Sequence, residues 1–85
     1  MDKPIRMSGH ALQQAYFRGT NEMDVIYAIC SSQWQQAEQG RKECRLNFPY
    51  NREWNGKFYS TQQVRPIFVD NEDGITVITV YTYYF

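Results

Sequence analysis

The sequence predicts an α+β domain with its helices first and its strands later. Three observations carry this reading. Apolar residues recur at helical spacing between Gly9 and about Ser32, and from Arg41 onward the pattern turns to alternation. The chain then ends in Ile75–Phe85, a run of β-branched and aromatic residues without a charge, Gly or Pro. With 85 residues there is room for one domain and one core.

Residues Met1–Met7 are polar, contain Pro4 and show no period, so they read as a leader. Ser8 is placed to cap a helix over Gly9–Phe17, with Ala11, Leu12, Ala15 and Tyr16 as its apolar stripe. Gly19 can take the left-handed conformation that closes it. His10, Gln14 and Arg18 fall on a separate polar stripe, spaced i, i+4, i+8. Thr20 or Asn21 opens a second helix, with Glu22 and Asp24 in its first turn, where the helix dipole favours negative charge. Met23, Ile26, Ile29 and Cys30, widened by Val25, form its apolar stripe, and it is expected to end near Ser31-Ser32. The two helices make an αα-hairpin.

Arg41–Phe48 alternates weakly and reads as a strand, followed by a turn-rich connection at Pro49–Arg52. Trp54-Asn55-Gly56-Lys57 contains Asn-Gly, which favours a two-residue hairpin turn. Lys57–Gln62 and Val64–Asp70 read as strands, with Pro66 implying a bulge or an edge position because it has no N–H for a ladder. Asp70–Gly74 is a turn that makes the last strand an antiparallel partner of Val64–Val69. Ile75–Phe85, apolar on both faces, is expected in the middle of the sheet. Ile78 and Val80 are expected beneath the helices, with Thr79 and Tyr81 on the opposite side.

Formal charge is zero, so the whole-chain balance announces no nucleic-acid partner. Its distribution is uneven. Six basic residues (Arg41, Lys42, Arg45, Arg52, Lys57, Arg65) lie between Arg41 and Arg65 against only Glu43 and Glu53, interleaved with Tyr50, Trp54 and Tyr59. That composition suits a phosphate ligand or an RNA strand, and equally a solvated sheet face. Cys30 and Cys44 have no metal-like spacing and are expected as free thiols of a cytoplasmic protein. No apolar run is long enough for a bilayer-spanning helix, the amino terminus lacks a signal-peptide pattern, and neither cofactor nor metal is expected.

His10 is the lone histidine, able to transfer protons near neutral pH or to sit as a surface side chain. Thr79, Tyr81 and Thr82 bring hydroxyls into an apolar strand, where they serve local bonding or an oxyanion. His10, Arg18, Lys57 and Tyr81, if gathered in one cleft, would suit metal-free RNA cleavage, in which a base takes the 2′-hydroxyl proton and cations stabilise the phosphorane.

His10-Ala11-Leu12, Arg18-Gly19-Thr20, Val25, Ala28-Ile29 and Ile78-Thr79-Val80-Tyr81, in that order, resemble the bacterial domain-of-unknown-function family numbered 4258. Trp54-Asn55-Gly56-Lys57 with Tyr59, Val64-Arg65-Pro66-Ile67-Phe68 and the Tyr83-Tyr84-Phe85 ending resemble its cyanobacterial-type branch. The resemblance implies an N-terminal two-helix hairpin packed on a four-stranded antiparallel β-meander, the architecture of toxin-like ribonucleases of the RelE, barnase and colicin nuclease groups. It points to His10, Arg18, Thr79 and Tyr81 as catalytic residues of a metal-free endoribonuclease, and an antitoxin-like protein as a partner. Arg41, Arg45, Trp54, Lys57 and Arg65 are the expected RNA-binding residues. Gln62 stands where relatives are expected to carry a basic residue, a departure that weighs against full activity. The alternative is a non-catalytic interaction module, or a homodimer, using Trp34, Trp54 and Tyr83-Tyr84-Phe85 as an exposed aromatic surface.

Overall fold

The computed structural model describes residues 3–85, so Met1 and Asp2 of the expected leader lie outside the described residues. The fold is α+β. Its elements are β1 (Ile5–Met7), α1 (Gly9–Phe17), α2 (Glu22–Ser31), β2 (Gln35–Gln36), a 3₁₀ turn (Glu38–Gly40), β3 (Lys42–Glu43), β4 (Leu46–Trp54), β5 (Lys57–Asn71) and β6 (Gly74–Tyr84).

The helix ends follow from their caps. Ser8 Oγ accepts from the Ala11 N–H, and Asn21 Oδ1 accepts from the Asp24 N–H. At the end of α1 the Thr20 N–H bonds the Ala15 carbonyl and the Gly19 N–H bonds the Tyr16 carbonyl, with Gly19 at φ +85°. This is a Schellman closure, which a left-handed glycine permits.

The sheet differs from the expected four-stranded meander. Among the described residues it has six strands and is mixed, ordered β1-β6-β5-β3-β2, with β4 also on β5. Part of the expected leader is β1, parallel to β6 in the register Ile5↔Ile75 to Met7↔Val77. Three residues whose partner lies seventy positions away leave no local period. Strand β5 is one continuous 15-residue strand and forms the middle of the sheet, whereas β6 has strands on both sides only along Ile75–Val77. The Pro49–Arg52 connection is a bulge inside β4, with Asn51 at φ +51°. The Asn55-Gly56 turn forms as expected, at φ +53° and +84°. Pro66 lies opposite the break between β3 and β4, because the flanking pairs are Glu43↔Ile67 and Leu46↔Val64. Its missing N–H therefore interrupts no ladder on that side.

A register shift opposite Ile67/Phe68 leaves Ile78 as the extra residue of β6, since Ile67 pairs with Thr79 and Phe68 with Val77. An odd insertion inverts the alternation. Ile75 and Val77 before it and Val80 after it all enter the core, so the expected pairing of Ile78 with Val80 beneath the helices fails at Ile78, which is only half-buried. Thr79 and Tyr81 do face away from the helices.

The helices approach the sheet through small residues. Ala11 and Ala15 of α1 and Val25, Ala28 and Ile29 of α2 pack with Cys44, Val64, Phe68, Ile75, Val77 and Val80. Leu12, Tyr16, Met23 and Cys30, expected on buried stripes, are exposed instead. The amphipathic period located the helices, but each carries apolar residues on more than one side and only packing chose between them.

Candidate functional site

On the sheet face opposite the helices, β3, β5 and β6 form one wall of an open groove of about 540 Å³, and the segment from Gln36 to Arg41 forms the other. Alternation places Glu43, Arg65, Ile67, Thr79 and Tyr81 on this wall, the last two by virtue of the Ile78 bulge.

Arg65 and Glu43 fix its centre. The Arg65 guanidinium donates Nε to Glu43 Oε2 at 2.9 Å and Nη2 to Oε1 at 3.0 Å, a bidentate fork, while Nη1 donates to the Tyr83 hydroxyl at 3.1 Å. Hydrogen bonding from Arg65 holds the Glu43 carboxyl below its usual range, against the opposing effect of burial. The same bond raises Arg65 further above its already high value, so it stays cationic. Arg45 Nε is 3.8 Å from Glu43 Oε2, and its guanidinium lies 5.8 Å from the Tyr83 ring.

Tyr81 carries two cations. Arg18 stands 5.1 Å and Arg65 5.4 Å from its ring centroid, both within cation–π range. Arg18 reaches it from the end of α1, its Nε held by Gln14 Oε1 at 2.8 Å. Among the described residues no carboxylate pairs with Arg18 or Arg41. Arg41 thus lines the groove and Arg18 stands beside it over Tyr81, neither with a carboxylate partner among the described residues, while Arg65 is committed to Glu43.

The structure therefore brings together Arg18, Arg41, Arg65, Thr79 and Tyr81, with Arg45 adjoining through Glu43 and Tyr83. His10 is exposed on the α1 stripe and makes no side-chain hydrogen bond among the described residues. Trp54 and Lys57 are not groove residues. Trp54 stacks on Tyr84, with centroids 5.0 Å apart and planes at 16°, and Lys57 lies 5.6 Å from the Tyr59 ring. Glu43 and the Gln36–Gln39 wall were missed from sequence. The one available signal was an acid, Glu43, embedded in the basic run.

The Tyr84 cluster explains Gln62. Gln62 is buried and donates Nε2 to the Gly19 carbonyl at 2.9 Å and to the Tyr84 hydroxyl at 3.0 Å. The Tyr84 O–H in turn donates to the Arg18 carbonyl, which also accepts from Thr82 Oγ1 at 2.9 Å. Burial raises the Tyr84 pKa, keeping the phenol protonated as that donor. These groups satisfy carbonyls that α1 leaves unpaired at its end. Gln62 here is a structural cap: a Gln62→Lys variant is expected to lose about 1–3 kcal/mol of stability by denaturant titration, without gaining RNA cleavage.

Cys30 is exposed and Cys44 buried, both as free thiols. Burial pushes the Cys44 thiol up to about 11, so it stays protonated at neutral pH and is no nucleophile. Among the described residues no three His, Cys, Asp or Glu side chains gather to hold a metal ion, and no helix is long and apolar enough to cross a membrane. A scan against protein-family models, a search of curated proteins and a search of solved structures each return no match to this chain.

Proposed function

We propose that this chain is a toxin-like, RNA-binding domain whose groove holds an unpaired stretch of RNA. The observation that supports it is the Arg18–Tyr81–Arg65 cluster beside Arg41, an aromatic ring among guanidinium groups in an open groove. Arg18 and Arg41 are suited to phosphates, and the amide, hydroxyl and carboxylate groups of Gln36, Gln39, Thr79 and Glu43 to base edges. The groove also supplies part of metal-free phosphodiester cleavage, the guanidinium groups that stabilise a phosphorane and the Tyr81 hydroxyl as a donor. His10, on the stripe that ends in Arg18, is the proton-transfer candidate. Its exposure assigns it a slow reaction, since efficient transfer needs a held geometry.

Fluorescence anisotropy with a labelled single-stranded RNA tests the binding. Arg18→Ala and Arg41→Ala are each expected to weaken it several-fold and to reduce the log–log salt slope by about 0.7 for each phosphate that is no longer neutralised. Absence of binding at low salt, or binding indifferent to both substitutions, would refute the reading. Incubation in chelator tests the enzymatic part, where wild type is expected to cleave slowly and His10→Ala more slowly still. Equal rates would remove His10 from the chemistry.

A further inference from the structure

Strand β6 carries a second tyrosine on the groove side. Tyr81 and Tyr83 are two residues apart, so alternation puts both on the face away from the helices, roughly 7 Å apart along the strand. Tyr83 lies beyond the groove that Tyr81 lines and is 39% exposed. Arg65 ties the two together. Its guanidinium stands 5.4 Å from the Tyr81 ring and donates Nη1 to the Tyr83 hydroxyl at 3.1 Å. Guanidinium groups and rings thus alternate in a row, Arg18, Tyr81, Arg65, Tyr83 and Arg45, each linked to the next by a cation–π approach or a hydrogen bond.

The far end of this row is built of uncommitted polar groups. Arg45 lies 5.8 Å from the Tyr83 ring and its side chain is half-exposed. It comes only to 3.8 Å from Glu43, outside hydrogen-bond range, because the Arg65 fork already holds that carboxylate. Gln63 lies opposite Tyr83 on one side and opposite Asn47 on the other. Gln63 Nε2 donates to Asn47 Oδ1 at 2.9 Å, and among the described residues Gln63 Oε1 and Asn47 Nδ2 make no side-chain hydrogen bond. Around Tyr83 there are therefore a ring for a base face, a cation for a phosphate, and an amide acceptor and donor for a base edge.

We propose, resting on the RNA reading of the groove, that Tyr83, Arg45, Gln63 and Asn47 form a second nucleotide subsite beside it, so that this face holds two consecutive nucleotides of an unpaired, unstacked RNA strand. Spacing selects the unstacked form. In a stacked strand successive bases follow at about 3.4 Å and cover one another's faces. Bases laid against side chains roughly 7 Å apart must first part from each other. A duplex offers no such faces. Among single strands every base has a face for a ring, but a run of adenosines has more base-to-base stacking to give up than a run of uridines. The subsite therefore favours uridine-rich strands.

Fluorescence anisotropy with oligouridine, oligoadenosine and a blunt RNA duplex as probes, each single strand about eight nucleotides long, tests it. The wild type is expected to bind oligouridine severalfold more tightly than oligoadenosine, and the duplex most weakly. Tyr83→Ala is expected to lose at least about fivefold in oligouridine affinity. Tyr83→Phe, which keeps the ring and gives up only the bond from Arg65, is expected to stay close to the wild type. Arg45→Gln is expected to lower the log–log salt slope by about 0.7, and Arg45→Lys to restore it. All four variants are expected to keep the wild-type circular dichroism spectrum, since both side chains are substantially exposed. Oligoadenosine binding as tightly as oligouridine overturns the proposal. So does an oligouridine affinity indifferent to Tyr83→Ala, or a loss in Tyr83→Phe equal to that in Tyr83→Ala. If Arg18→Ala and Arg41→Ala still weaken binding in that case, the groove stands and only the subsite falls. No binding of any probe at low salt removes both.

Discussion

A Gly19→Ala variant is expected to melt about 12–24 °C below the wild type in a thermal circular dichroism scan. Two effects add at this position. Gly19 sits at φ +85°, where a side chain is strained, and an added Cβ would meet the Tyr84 hydroxyl and, at 2.7 Å, the Trp54 ring. Neither neighbour can withdraw cheaply. Tyr84 is tied to the Arg18 carbonyl and Gln62, and Trp54 is stacked on Tyr84. Backbone strain and overpacking together cost about 3 kcal/mol, and in a domain of this size each kcal/mol shifts the midpoint by about 4–8 °C. A shift below about 3 °C would mean that the Tyr84 cluster yields, and that the cap it provides is not rigid.

Removing the Glu43 carboxylate is the second large effect. Glu43→Ala is expected to lower stability by about 2–3 kcal/mol in denaturant titration, because it strips a half-buried Arg65 of its bidentate partner. The pH dependence has a definite sign. The folded-state pKa of Glu43 is depressed, so its contribution is fully present above the unfolded value near 4.5 and is lost as pH falls through the lower folded value. Wild-type stability is therefore expected to decline below about pH 4.5, and Glu43→Gln to flatten that part of the acid limb. An acid limb identical in wild type and Glu43→Gln would show that the pair contributes nothing to folding.

Those two positions also mark what the sequence could and could not convey. Gly19 was legible because a helix that must stop before another begins needs a residue tolerant of positive φ, a local requirement. Ser8, Asn55-Gly56 and the Asp70–Gly74 turn were legible for the same reason. The parallel pairing of Ile5–Met7 with β6 was not, since three residues carry no period and their partner is remote. The Ile78 bulge was equally silent. A run of uniformly β-branched and aromatic residues gives no hint of where an extra residue is accommodated, yet that residue decides which side chains of β6 face the groove. Thr79 and Tyr81 emerged on the side away from the helices, while Ile75 and Val77, nominally in phase with them, entered the core. The helix faces failed for a further reason. Hydrophobicity favoured burying Leu12, Tyr16 and Met23, but close approach to the sheet selected Ala11, Ala15 and Ala28. Basic composition picked out Arg41 and Arg65, which line the groove. It also collected Trp54 and Lys57, whose side chains serve the aromatic cluster around Tyr84. Gln62, read as a departure from a basic position, donates to the Gly19 carbonyl and the Tyr84 hydroxyl just beyond α1, contacts that its sequence neighbours do not signal.

Titration of isotopically labelled protein with a short single-stranded RNA, followed by amide and guanidinium NMR shifts, tests the placement of the functional site most directly. Perturbations are expected at Arg18, Arg41, Arg65, Thr79 and Tyr81, with Leu12, Tyr16, Met23 and Tyr27 unmoved. Shifts confined to the outward helix face, or none at all at low salt, would contradict the assignment of the groove as an RNA-binding site.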